Sequence, residues 1–147
     1  MDFRKLTRET MLYAAAFGLA LFLRLLLLGY APLNDGEAGW ALQALGLVHE
    51  HGALIGPQAG YITWTGALFD FFGSSNFVAR LLPALAGSAL TLAPLLLRRT
   101  IGRKPALVLA FALALDAGLL SISRQADGTM LAIGAAGFAL AAWVDRR

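Results

Sequence analysis

The sequence predicts an all-α integral membrane protein with four transmembrane helices and interfacial helices in a large first outer loop. Three observations carry this expectation. Of 147 residues, 59% are hydrophobic and 14% are charged, a composition outside the range of an ordinary soluble domain. Apolar runs of membrane-spanning length alternate with short polar turns. Nine of the twelve basic residues fall in segments that share one side: Arg4, Lys5 and Arg8 before the first run, Arg98, Arg99, Arg103 and Lys104 between the second and third, and Arg146 and Arg147 after the last. Short loops rich in Lys and Arg stay cytoplasmic, so both termini are expected in the cytoplasm of a plasma or inner membrane.

The first span covers residues 10–30, long enough at about 1.5 Å per residue to cross a hydrocarbon core. It exceeds a signal-peptide core and has no small-residue cleavage pattern before Pro32, so it reads as retained. Pro32 and the Asn34, Asp35, Gly36 cluster end it. Residues 31–76 then form one loop on the outer face. Within that loop, residues 37–51 have helical apolar spacing, with Asp35 as the expected cap. Residues 61–72 are too short to span, and their aromatics suit the headgroup level. Residues 77–97 form the second span, with a kink expected at Pro94. Residues 105–123 return outward as the third, and 128–144 form the fourth. The whole chain, 1–147, reads as a single membrane domain. Gly134 and Gly137 suit close helix packing without the spacing of a dedicated dimer motif.

The remaining arginines, Arg24, Arg80 and Arg124, lie toward the outer face, where the positive-inside rule disfavours them. Each is either a snorkelling anchor or part of a lipid-phosphate site, for which the planar guanidinium fork is suited. Asp35 and Glu37 sit on the same side. They read either as a solvated turn with a helix cap or as carboxylates that serve as general base or hold a divalent cation. Asp116 falls inside the third span, where an ionisable group marks function, or is kept neutral by burial, or pairs with Arg24 or Arg124. Asp127 reads as a turn residue or a second support for that site. His49, Glu50 and His51 offer alternate side chains to a metal only if extended, and no third ligand is evident, so no metal site is expected there. The aromatics from Tyr61 to Phe77 read as interface anchors, with carbohydrate stacking as the second reading. The net charge of +3 reflects the loop bias and not a nucleic-acid patch, so nucleic acid is not an expected partner. The absence of cysteine excludes disulfides and thiolate chemistry.

Taken in order, Leu23-Arg24-Leu25, Gly29 and Pro32 to Ala38 (PLNDGEA), then Ala79 to Gly102 (ARLLPALAGSALTLAPLLLRRTIG), then Asp116 ahead of Ser123 and Arg124, resemble GT-C membrane glycosyltransferases of the protein mannosyltransferase type. The resemblance runs over nearly all of the sequence. An ungapped match to the family's Asp-Glu-Ala places Gly36 at the aspartate and retains Glu37 and Ala38, and Thr129 stands where the family tends to carry a further aspartate. The resemblance implies transfer of a sugar from a polyprenyl-phosphate carrier on the outer face. By it, Asp35 or Glu37 is the base, and Arg80 and Arg124 contact the lipid phosphate. The family's enzymes carry many more spans than four, so the chain reads as a truncated relative. The expected role is an accessory or structural transmembrane subunit of a larger complex, its partners being membrane lipids and other transmembrane subunits. The alternative is the catalytic part of a polyprenyl-phosphate-sugar-dependent transferase, aided by a divalent cation.

Overall fold

The computed structural model describes residues 3–49 and 56–146, which are mostly helical, with no strand among them. Eight helices follow one another: α1 Phe3–Leu25, α2 Asp35–His49, α3 Ala59–Phe72, α4 Asn76–Leu90, α5 Pro94–Leu97, α6 Arg103–Leu115, α7 Ala117–Ile122 and α8 Thr129–Asp145. The Asn76–Leu97 stretch, 22 residues through α4 and α5, is the one helix among the described residues long and apolar enough to cross a membrane, and α8 is a shorter apolar helix. Glu50, His51 and the side chain of His49 lie outside the described residues.

Helix α1 stops earlier than the apolar run does. Leu26 makes a last helical bond to Phe22 O, after which Leu27 takes a positive φ of 55° and the chain turns through residues 26–30. The apolar run continues, but the backbone must pass the start of α4: a Cβ on Gly29 would lie 2.9 Å from Phe77 Cβ. Contact with another helix, not local composition, ends α1.

Helix α2 opens on a reciprocal cap. Asn34 Oδ1 accepts from Glu37 N at 2.9 Å, and Glu37 Oε2 accepts from Asn34 N at 3.0 Å, the two-way bonding of a capping box. Asn34 therefore caps this helix. The expected cap, Asp35, is its exposed first residue, where its charge complements the helix dipole. Helices α2 and α3 pack together over Ala41, Ala44, Tyr61, Ile62 and Phe69, and Val78 and Ala79 of α4 complete that cluster with Ala126. Of the aromatics in this stretch, Tyr61 is buried while Trp64, Phe71 and Phe72 are exposed.

Proline shapes α4 twice. Pro83 lies in its interior and has no N–H to offer Ala79 O, four residues back. The Tyr61 hydroxyl donates to that carbonyl at 2.8 Å. Burial raises the Tyr61 phenol to about 12, so it remains a protonated donor. Tyr61→Phe is expected to cost about 1–2 kcal/mol, because a buried carbonyl is left unpaired. In a Pro83→Ala background the new N–H supplies the missing donor, so the same substitution should cost less. Equal losses in the two backgrounds, measured by denaturant unfolding in mild detergent, would refute the pairing. Ahead of Pro94 the bonding tightens to three-residue turns, Ala93 N to Leu90 O among them, and Pro94 begins α5 instead of kinking one continuous helix.

The third apolar run is interrupted. Asp116 adopts an extended conformation, with φ −61° and ψ 118°, and its Oδ1 accepts from Leu119 N at 2.7 Å. It is the N-cap of α7 and exposed, and among the described residues it makes no close ion pair with Arg24 or Arg124. A capping aspartate offers the backbone an alternative to continuing the helix.

The interior is built of small residues. Twelve of the twenty buried apolar residues among those described are alanine, whereas Met11, Phe22, Val108, Leu140 and Trp143 are exposed. Helix α4 packs against α1, α3 and α8, and α6 packs against α1 and α5. Charge is divided between the two ends of α1. Glu9 pairs with Arg98 and Arg103 near its start, while Arg80 and Arg124 bind carbonyls from Leu23 to Pro32 at and beyond its end. Fourteen residues of helix separate Glu9 from Leu23, about 21 Å.

Candidate functional site

The end of α1 and the starts of α2, α4 and α8 converge on Glu37 and Arg80. The capping box fixes Glu37 one turn into α2, and Arg80 lies one turn into α4, whose start is capped by Ser75 Oγ accepting from Val78 N. Two helix starts therefore aim the carboxylate and the guanidinium at each other. Arg80 Nε donates to Glu37 Oε1 at 3.0 Å and Nη2 to Oε2 at 2.8 Å, a two-pronged charge-assisted pair. Both residues are buried, 6% exposed each.

The hydrogen-bonding capacity of this pair is full. Glu37 Oε1 also accepts from Ala126 N at 2.8 Å, and Oε2 from Asn34 N. Arg80 Nη1 donates to Leu28 O at 3.2 Å and Ala31 O at 2.8 Å, and Nη2 also to Pro32 O at 3.0 Å. All five guanidinium N–H groups are thereby used. In this arrangement Arg80 has no donor left for a lipid phosphate, and Glu37 has no oxygen open to a substrate proton or a cation. The expected base and phosphate ligand satisfy each other and the backbone.

Burial pushes the Glu37 carboxyl up, but the hydrogen bonds from Arg80, Asn34 N and Ala126 N, with the Arg80 charge, outweigh it and hold the group below its ordinary value of 4.5. A depressed folded-state value means stability that is fully present above the unfolded value and lost as pH falls through the folded one. The unfolding midpoint is therefore expected to drop on acidification below pH 4.5 in the parent chain, and to drop less in Glu37→Gln. Parallel profiles from about pH 7 to about pH 3 would mean that Glu37 contributes nothing.

The other sequence candidates lie around this pair in different roles. Arg24 is fully buried, and its guanidinium donates to Ala20 O at 3.3 Å, Ala114 O at 3.4 Å and Leu113 O at 3.2 Å. The last two carbonyls belong to the final turn of α6, which the break at Asp116 leaves short of helical donors. Arg24 is thus a cap for an interrupted helix, not a snorkelling anchor. Arg124 is half-buried and donates from Nη1 to Leu23 O at 3.1 Å, with its remaining N–H groups uncommitted among the described residues. Asp127 Oδ1 accepts from Thr129 N at 2.9 Å at the start of α8. Asp35 is exposed and has no hydrogen-bond partner among the described residues. Asp35 and Glu37 do not converge, and among the described residues no three acidic or histidine side chains gather to hold a metal ion.

Several contacts were not anticipated. Gly128 N donates to Gln58 Oε1 at 2.6 Å, so the loop before α8 is held by Leu23 through Arg124, by Glu37 through Ala126 and by Gln58 through Gly128. The Asn34-x-x-Glu37 spacing is legible as a capping box, and Pro83 announces an orphaned carbonyl at Ala79. Nothing in the sequence announces Ala126 or Gln58, because a backbone N–H and a lone glutamine carry no pattern. Comparison with known protein families, curated proteins and solved structures finds no match to this chain.

Proposed function

We propose that this protein is a GT-C-like integral membrane protein of four spans that serves as an accessory or structural transmembrane subunit of a larger complex. The single observation that carries the reading is the closed Glu37–Arg80 pair, in which the two residues best placed for transferase chemistry hold one another and four backbone groups, three between Leu28 and Pro32 and one at Ala126. Such a pair is a structural clamp. A base must reach the proton it removes, and a phosphate ligand must have donors to give.

The alanine-rich interior under a surface of large apolar side chains supports a membrane location, since helices in lipid associate through small residues. Separation of the basic loop from the outer arginines along α1 supports both termini on the cytoplasmic side, with 31–76 outside. Asp116 supports the partner subunits. It is exposed about 20 Å along the third span from Arg103, a depth at which a carboxylate against lipid is costly and a neighbouring subunit would shield it.

The second reading, catalytic part of a polyprenyl-phosphate-sugar-dependent transferase, rests on Asp35 and Arg124. Among the described residues that the resemblance places at the site, they are a carboxylate and an arginine with hydrogen-bonding capacity to spare. Purification in mild detergent, identification of co-purifying chains and a polyprenyl-phosphate-sugar turnover assay separate the two. Stable association with other membrane subunits and no turnover is the expected result. Turnover abolished by Asp35→Ala, with insertion intact, would replace the subunit reading by the transferase one.

A further inference from the structure

At the opposite end of α1, Glu9 gathers two arginines from either side of the turn between α5 and α6. Arg98 Nη1 stands 3.8 Å from Glu9 Oε1 and Arg103 Nη1 3.7 Å from Oε2. Gly102, at φ 92°, reverses the chain between them. These separations are ion-pair distances, beyond hydrogen-bonding length. Neither Arg98 nor Arg103 donates a hydrogen bond to a described residue, and their side chains are 42% and 62% exposed. Beneath them two buried polar atoms have no hydrogen-bond partner: Glu9 Oε1 and, one helical turn along the same face, the Tyr13 hydroxyl. The Tyr13 hydroxyl has a proton to give, whereas Glu9 Oε1 can only accept and is balanced by the two guanidinium charges, whose outward N–H groups are the donors this end of α1 offers to a partner.

The chemistry of that partner follows from the surroundings. Arg98, Arg99, Arg103 and Lys104 place four cations in seven residues against one carboxylate. Paired guanidinium forks match the oxygens of a phosphate. Met11, Leu12, Ile101 and Val108 expose apolar surface on the neighbouring stretches of α1, the turn and α6, which suits acyl chains and not a soluble anion. We infer that Glu9, Arg98 and Arg103 form a binding site for the phosphodiester of an anionic glycerophospholipid in the inner leaflet, with Glu9 holding the two guanidinium groups in register. A zwitterionic choline headgroup would bring a cation into a cluster that is already positive. The site rests on the membrane reading above, with the 98–104 loop at the inner surface.

The test uses the full chain mixed with vesicles of phosphatidylcholine alone or phosphatidylcholine containing phosphatidylglycerol, followed by flotation. Lipid affinity is then read by titrating each lipid, or inorganic phosphate, into the detergent-solubilised chain and following tryptophan fluorescence. Flotation with both vesicles and roughly tenfold or greater preference for phosphatidylglycerol is expected, in line with the contribution of basic residues at an anionic surface. Arg98→Gln/Arg103→Gln should lose most of that preference, whereas the charge-matched Arg99→Gln/Lys104→Gln should keep most of it. Equal affinity for the two lipids in the parent chain overturns the site without reference to any variant. Equal losses in the two double variants reduce it to diffuse charge and also overturn it, and an equal response to inorganic phosphate overturns the lipid assignment. Failure to float with either vesicle instead overturns the membrane reading on which the site depends.

Discussion

Arg80→Ala is expected to destabilise the protein by about 3–5 kcal/mol, because it leaves a buried carboxylate without its counter-charge. The loss is not confined to Glu37. Leu28 O, Ala31 O and Pro32 O each lose a donor, so the segment that carries the chain from α1 into α2 is released together with the α2 start. Arg80→Lys should recover only part of the loss, since a single ammonium with three donors cannot span five acceptors. Glu37→Ala should be comparably severe, as it also frees Ala126 N and the Asn34 cap. The two substitutions share one set of contacts, so their combined cost should fall well short of the sum. Unfolding in mild detergent, followed through the three tryptophans, measures all four variants. Near-additive losses, or an Arg80→Ala chain as stable as the parent, would rule out the clamp and reopen Arg80 as a ligand-binding side chain.

The second large effect is expected at Gly87, where α4 passes Arg24 and the loop before α8. A Cβ at this position would lie 2.7 Å from Ser123 Cβ and 2.9 Å from Arg24 Nε, with Met130 Cγ at 3.4 Å. Arg24 cannot retreat easily, because three carbonyls hold its head. Overpacking a fixed site costs about 1–3 kcal/mol, so Gly87→Ala should fall in that range and Gly87→Val above it. Gly137 provides the contrast. Its added Cβ would meet Leu90 Cδ1 at 2.5 Å, but that atom is the tip of a flexible side chain, beside an apolar groove of about 300 Å³ that both residues line. Rotation of Leu90 should absorb most of the clash, making Gly137→Ala the milder of the two. The reverse order of unfolding midpoints would mean that Arg24 is not held as described.

These two sites also show how differently parts of the structure are written in the sequence. Close packing at Gly134 and Gly137 is legible, since small residues on an apolar helix permit backbone approach, and α8 does lie against α4. Gly87 has the same chemistry but a different reason, the passage of a buried guanidinium, and no local pattern distinguishes the two. The break at Asp116 was open to reading from its residue type, because aspartate competes for backbone N–H groups. Hydropathy nonetheless carries straight across it, so the third run looks continuous. Pro94 in an apolar run suggests a kink, yet the three-residue turns before it make it a helix start.

What the sequence by itself determines here is the helical nature of the chain, the approximate place of each segment and the division of charge between its two ends. Each depends on composition within a few turns: apolar runs, Gly and Pro punctuation, clustered Lys and Arg. Only the tertiary structure decides which carboxylate faces which arginine. Asp35 and Glu37 are two residues apart on one helix, which turns them about 200° from each other, so one is in solvent and the other meets Arg80, 43 positions away. No local property of the sequence encodes that rotation relative to a distant helix. It is set by packing, and packing converts an expected base and an expected phosphate ligand into a clamp.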